Sequence, residues 1–177
     1  MKKILCSSLL FFSSFFFSDC PTLLDHEVRL IDSQETKNLC DYQDKIILAV
    51  NVASKCGYTY QYESLQNLYS LYESKDFVIL GFPSRDFLYQ EFKEESKVKE
   101  FCETKYGVTF PIFATSSVKG KKANSFFKDL SRITGEQPGW NFHKYLIDRK
   151  GGVTSFSTKV EPDSKQLTDI LKSLLDK

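Results

Sequence analysis

Two kinds of apolar pattern alternate along the chain. Ile46-Ile47-Leu48-Ala49-Val50 and Phe77-Val78-Ile79-Leu80-Gly81-Phe82 are continuous apolar runs bounded by polar residues, and they read as buried strands. Between them Leu65, Leu68, Tyr69 and Tyr72 recur at i, i+3, i+4 and i+7, the spacing of one helical face. Two strands joined by a helix form a βαβ unit, with parallel strands and a right-handed crossover. Pro83 closes the second run, since it cannot donate a ladder hydrogen bond. In open α/β sheets functional groups gather beyond the carboxyl ends of the strands. Cys56 and Pro83-Ser84-Arg85-Asp86 follow the two strands, so both belong to the same sheet edge.

The pattern continues with Val98, Phe101 and Cys102 at helical spacing, predicting a helix over Glu94–Lys105 that stops at Tyr106-Gly107. Val108 to Phe113 follows, with Pro111 standing before a short strand. Ala123, Phe126, Phe127 and Leu130 mark another helix, and Gly135 to Gly139 a short loop. Lys144 to Asp148 and Val153 to Ser157 are strands joined by a hairpin turn at Arg149-Lys150-Gly151-Gly152. Asp163 or Ser164 caps a last helix with the stripe Leu167, Ile170, Leu171 and Leu174. Upstream, Glu27 to Asp32 is a short strand or hairpin arm. The order is β-α-β-α, then β-β-α. It predicts an α/β, thioredoxin-like three-layer α/β/α sandwich with a central mixed sheet. Such folds often carry a cis-Pro at the place of Pro111, and the sequence leaves that isomer open.

The first residues change the picture of where the domain begins. Lys2-Lys3 precedes an uncharged, Phe- and Ser-rich segment from Ile4 to Phe17. That is shorter than the ~20 residues a spanning helix needs, so it reads as a secretory signal cleaved near Ser18 or Asp19. Residues 1–19 are then a signal peptide and 20–177 a single domain, exported and periplasmic, with no stable membrane insertion once the signal is removed. The alternatives are an uncleaved anchor and lipid attachment at Cys20. Net charge is +1 without any block of like charge, which gives no reason to expect nucleic-acid or membrane-surface binding. The mature chain keeps Cys20, Cys40, Cys56 and Cys102, which allow ~3 pairings in an oxidising compartment. None forms a Cys-x-x-Cys pair, which argues against a thioredoxin-type disulfide exchanger. His26 and His143 show no ligand spacing with any cysteine, which argues against a zinc site.

Of these cysteines Cys56 is placed for chemistry. It lies where a strand has ended and a helix is about to begin. Helix N-terminal N–H groups and the neighbouring Lys55 favour a thiolate, and the thiolate is the nucleophile. The competing reading is a buried structural cysteine in a strand–helix corner.

Four ordered stretches then resemble the glutathione peroxidase family in its cysteine, non-selenium form: Asn51-Val52-Ala53-Ser54-Lys55-Cys56-Gly57-Tyr58-Thr59, Leu80-Gly81-Phe82-Pro83 with Phe87, Tyr106-Gly107-Val108-Thr109-Phe110-Pro111-Ile112-Phe113, and Trp140 to Arg149. The likeness runs from about Asp41 to the C-terminus. It implies a thiol peroxidase for hydrogen peroxide and organic hydroperoxides, with Cys56 as the peroxidatic residue and Trp140 and Asn141 as active-site donors. It implies no cofactor, only a thiol reductant as co-substrate.

Two departures stand out. Asp86 occupies the place of the family's catalytic Gln, and an ionised Asp is an acceptor only. The options for it are a protonated carboxyl, a pair with Arg85, or a turn toward a backbone donor at the Cys56 helix. Leu88-Tyr89 replaces the family's Gly-Gly. Cys102 falls where a resolving cysteine is common, which favours a thioredoxin-like protein over glutathione as reductant; its alternative is an inert core thiol. The short Gly135–Gly139 loop resembles that of compact, monomeric members. Cys20 and Cys40, outside the catalytic core, are expected to pair as a structural disulfide, the alternative being two free thiols. Competing functions are a redox sensor or relay that oxidises a partner protein, and a non-catalytic thioredoxin-fold binding protein.

Overall fold

The computed structural model describes residues 20–176; the signal-peptide reading of residues 1–19 lies outside them. Among the described residues no helix is long and apolar enough to cross a membrane. A hairpin of β1 (Glu27–Arg29) and β2 (Thr36–Asn38) opens the domain, so the Glu27–Asp32 segment is a hairpin arm. The central sheet follows: β3 (Ile46–Val52), β4 (Phe77–Pro83), β5 (Lys144–Ile147) and β6 (Val153–Phe156) lie in the order β4-β3-β5-β6. As the sequence predicts, β3 and β4 are parallel, while β5 and β6 form an antiparallel hairpin whose first strand runs antiparallel to β3.

The alternation of β3 assigns the two faces. Ile46, Leu48, Val50 and Val52 share one core with Leu65 and Leu68 of α1 (Gln61–Tyr72), Val98 and Cys102 of α2 (Glu95–Tyr106), and Leu167 and Leu171 of α4 (Lys165–Leu175). Ile47 and Ala49 point the other way, onto Phe126, Phe127 and Leu130 of α3 (Ser125–Thr134). Every residue of β3 is buried, which is why it reads as a continuous apolar run rather than an alternating one. The N-terminal segment closes over the α3 side with Leu23, Leu24 and Leu39, and Cys20 and Cys40 are joined in a disulfide that ties it down.

Gly107 stops α2 where the sequence places it, whereas α3 starts at Ser125, past Ala123 of the predicted stripe. Asn124 accepts the Phe127 N–H at the start of α3, and Gly107, at φ +59°, ends α2 in the left-handed conformation. Ser164, rather than Asp163, is the residue before α4.

After Pro111 the short strand is reduced to two isolated bridges, Gly81 to Ile112 and Leu30 to Phe113. Pro111 has no N–H to give a ladder, and only its carbonyl is used, by the Gly81 N–H at 2.9 Å. The Pro111 bond is trans, as is every other among the described residues.

Candidate active site

Residues 53–60 connect β3 to α1 as a chain of turns, and α1 begins only at Gln61. Cys56 therefore sits one and a half turns ahead of the helix, not at its first turn. What replaces the helix end is local. Thr59 Oγ1 accepts the Cys56 N–H at 2.9 Å and donates to the Ala53 carbonyl at 2.8 Å, which cross-braces the loop. The Tyr58 N–H then points at Cys56 Sγ, 3.4 Å away. The donor facing the sulfur is thus a turn N–H rather than a helix end. Lys55 is exposed, with its ammonium 4.0 Å above the Phe92 ring.

The carboxyl ends of β3 and β4 meet as predicted: Val52 is in register with Pro83, and the Ser84 N–H bonds the Val52 carbonyl at 3.1 Å. The loop before β5 comes to the same edge. Asn51, fully buried, holds it by donating from Nδ2 to the Trp140 carbonyl at 3.0 Å and accepting the His143 N–H on Oδ1 at 3.1 Å. Between these points Phe142 takes φ +62°, a conformation disfavoured for a bulky residue. Its backbone is secured on both sides, by its N–H to the Asn51 carbonyl at 2.6 Å and by Lys144 Nζ on its own carbonyl at 2.7 Å. Lys144 is completely buried, and desolvation pushes its pKa down to about 7. Asn51 and Lys144 stand inside motifs that the sequence shows, but nothing in their spacing announces these bonds.

Trp140 is half-buried, with its ring 5.4 Å from that of Phe87. Together with Tyr58 and His143 it lines an open cleft of about 580 Å³. Asn141 is fully buried; its carbonyl accepts from Thr158 Oγ1 at 2.8 Å, and its Nδ2 donates to Gln90 Oε1 at 3.0 Å. Among the described residues the Tyr58 N–H is the hydrogen-bond donor on Cys56 Sγ, and neither Trp140 nor Asn141 bonds the sulfur directly.

Asp86 is turned elsewhere. Its Oδ2 accepts from Ser117 Oγ at 2.9 Å, Val118 N–H at 2.7 Å and Lys119 N–H at 3.2 Å. Of the options open in the sequence, a backbone donor is the one realised, but it lies in the loop before α3 and not at Cys56. Arg85 instead stacks on Tyr89, with Cζ 5.2 Å from the ring centroid. Cys102 lies in α2 at 1% exposure, in the same core as Cys56. Burial pushes its thiol up to about 12, against a smaller opposing contribution from the Tyr62 hydroxyl. The sulfurs of Cys20 and Cys40 are bonded to each other, so the small cluster they form with Asp25 offers no thiolate to a metal.

A thioredoxin-type sheet with a cysteine in the loop after its first parallel strand, its sulfur facing a backbone N–H beside a Trp- and Asn-bearing loop, defines a thiol oxidoreductase. Comparison with known proteins narrows the class. The glutathione peroxidase family model matches residues 23–131. The glutathione peroxidase homolog BsaA of Halalkalibacterium halodurans is 47% identical over 133 residues, which are 73% of this chain and 84% of that protein. The glutathione peroxidase-like peroxiredoxin 2 of Saccharomyces cerevisiae is 44% identical over 139 residues, 75% of this chain and 85% of that one. Among solved structures, that of Trgpx in its apo form aligns with TM-score 0.68 at 30% identity, covering 88% of this chain and 96% of that chain. The chain belongs to the glutathione peroxidase family and is a thiol peroxidase, taking a peroxide as substrate and a thiol as reductant.

Proposed function

We propose that Cys56 is the peroxidatic residue and Cys102 the resolving one. The Cys56 thiolate attacks the terminal peroxide oxygen; an S–O bond forms, the O–O bond breaks, and the departing oxygen leaves as water or an alcohol after protonation. Trp140 and Asn141 act at this stage by offering N–H donors to the departing oxygen rather than by holding the resting sulfur. Cys102 then attacks the Cys56 sulfenic acid, an S–S bond forms and water leaves. A thioredoxin-like dithiol or glutathione returns the disulfide to two thiols by exchange. No metal or organic cofactor takes part.

What carries this reading is the state of the described cysteines. Cys20 and Cys40 are already paired, whereas Cys56 and Cys102 are free and share one core. Cys102 is sealed inside α2, so the second step needs that helix to open locally. A disulfide tolerates Cα separations only up to about 7 Å. The open cleft beside Trp140 suits organic hydroperoxides as well as hydrogen peroxide. The short Gly135–Gly139 loop supports a monomer, and the Lys2-Lys3 and Ile4–Phe17 pattern supports export to the periplasm.

The test is to add one equivalent of hydrogen peroxide to reduced protein, alkylate, and map the cysteines by mass spectrometry. A Cys56–Cys102 disulfide is expected. Cys56 sulfenic acid with Cys102 still alkylated would reject the resolving role and leave a one-cysteine cycle. An unreactive Cys56 would reject the assignment altogether.

A further inference from the structure

Among the described residues Glu94, just before α2, makes no side-chain capping bond, and the helix start is tied down from elsewhere. The tie comes from the N-terminal hairpin. Glu95 Oε1 accepts from Arg29 Nη2 at 2.7 Å and from the Thr115 N–H at 2.9 Å, and its Oε2 accepts the Asp32 N–H at 3.1 Å. Arg29 is itself held across the hairpin, since its Nη1 donates to the Ser33 carbonyl at 2.8 Å. The backbone there is anchored to the segment after Pro111. The Ile31 N–H bonds the Ile112 carbonyl at 3.0 Å, and the Ala114 N–H bonds the Arg29 carbonyl at 2.7 Å. Ile31 then reaches over α2. It is buried, shares a core with Val98 and Cys102, and lines with Cys102, Lys99 and Val108 a cleft of about 510 Å³. β1 and β2 form a two-stranded sheet of three residue pairs, and such a hairpin is marginal alone. The Cys20–Cys40 bond closes it into one loop: both strands, with Arg29 and Asp32, lie between its two cysteines.

We propose that Glu95 is a positioning residue of the resolving step, the clasp by which the disulfide-closed hairpin keeps α2 shut over Cys102. The proposal rests on the reading of Cys102 as the resolving cysteine, and concerns the local opening of α2 which that reading requires. Cys102 lies about two turns beyond Glu95 in the same helix. A fixed helix start therefore disfavours the states in which the Cys102 turn has come away. The Arg29 and Glu95 side chains are 36% and 19% exposed, so the pair can part without leaving a fully buried charge. That suits a contact which releases in every turnover. Until it does, Cys56 remains a sulfenic acid, and a second peroxide can take it on to sulfinic acid with release of water. The clasp thereby sets how long Cys56 is open to that second oxidation. A dithiol that reduces Cys20–Cys40 pairs its own sulfurs and leaves two thiols on this chain. The hairpin then loses its closure, Arg29 is held less firmly, and α2 opens more often.

The experiment adds one equivalent of hydrogen peroxide to the full mature chain, with Cys56 and Cys102 as thiols and Cys20–Cys40 intact. Samples quenched at intervals are mapped by mass spectrometry, which follows Cys56 sulfenic acid as it becomes the Cys56–Cys102 disulfide. Glu95→Ala is expected to speed that passage about tenfold. Glu95→Gln keeps an acceptor but loses the charge, so about threefold is expected, and it serves if Glu95→Ala does not fold. Cys20→Ser/Cys40→Ser is expected to speed the passage about threefold. Added to Glu95→Ala it should change little more, because both act through one contact. Oxidation of Cys56 precedes the opening, so its second-order rate should stay within about twofold in every variant. Under excess peroxide the faster variants should accumulate less Cys56 sulfinic acid. A merely structural Glu95 would lower the melting temperature and leave the ratio of the two steps where it was. The proposal is overturned if Glu95→Ala and Glu95→Gln form the disulfide no faster than the wild type, if Cys20→Ser/Cys40→Ser leaves that rate unchanged, or if the two effects multiply. A wild type whose Cys56 sulfenic acid persists without forming the disulfide would sink the resolving role of Cys102 instead, and no variant is needed to see it.

Discussion

The turn that delivers Gln90 is held under strain, and relieving it should stabilise the protein. Leu88 and Tyr89 both lie in the left-handed region, at φ +53° and +54°, where an L-residue costs roughly 1–2 kcal/mol. Replacing the pair by Asn-Gly, the residues a type I′ turn prefers, removes most of about 2–4 kcal/mol of strain. Three losses oppose the gain. The new glycine gives up more chain entropy on folding, about 0.5–1 kcal/mol. Leu88 and Tyr89 are 74% and 73% exposed, so their buried quarters are worth only about 0.5 kcal/mol each. The Arg85 cation–π contact on Tyr89, 5.2 Å from the centroid, contributes about 0.5 kcal/mol. The balance is about 1 kcal/mol of stabilisation, which for a domain of this size raises Tm by about 2–4 °C. Thermal melts of Leu88→Asn/Tyr89→Gly against the wild type measure it. Leu71→Gly calibrates the opposite sign: it is 61% exposed in α1, and losing helix propensity there should lower Tm by about the same amount. A double variant that melts at or below the wild type would show that the turn is not strained.

Three further outcomes follow from other parts of the molecule. Reducing the Cys20–Cys40 bond, which closes a loop of sequence separation 20, should cost about 3 kcal/mol, read as a shift in the denaturant midpoint with and without reductant. His143 is 5% exposed and burial lowers its pKa from 6.5 to about 4, so the unfolded chain takes up a proton that the folded one refuses. Its stability is present above pH 6.5 and lost as pH falls toward 4, by about 3 kcal/mol; His143→Gln should flatten that part of the stability profile. Lys144 behaves alike at higher pH, because burial depresses its pKa from 10.5 to about 7. The wild type should gain up to about 5 kcal/mol between pH 7 and 10.5, and Lys144→Met should remove that slope in denaturation series across the range.

The sheet and the helices were legible because each is written locally. The continuous run from Ile46 to Val50, the Leu65–Tyr72 stripe and the Gly107 stop all need only neighbours in sequence to be read, and the structure has them where the pattern places them. The failures have a common cause in groups whose role depends on distant partners. The segment after Pro111 has strand composition, but it meets Gly81 and Leu30 at one residue each, which limits it to bridges. The turns between Cys56 and the start of α1 at Gln61 are held by the Thr59 side chain, bonded to Cys56 N–H and Ala53 carbonyl, a link the sequence does not announce. Asn51 and Lys144 lie in strands whose buried positions look alike in sequence, and only the folded chain brings them to the Trp140–Phe142 backbone.

Asp86 is the sharpest case. Its position in a motif suggested a place in the chemistry, whereas the carboxylate is spent on the Ser117–Lys119 loop. Gln90 reaches Asn141 through a turn whose two central residues are poorly suited to it. A loop of unfavourable backbone that is nevertheless stitched to the Cys56 loop by the Lys55 and Ser54 N–H groups is hard to explain by stability alone, since the same connection could be made with Asn-Gly at lower cost. Exposed Leu88 and Tyr89 bury little and add little to the core. The cost of the turn is to be weighed against where it ends, on Gln90, whose Oε1 accepts from Asn141 Nδ2 and whose carbonyl accepts the N–H of Lys55, the residue beside Cys56.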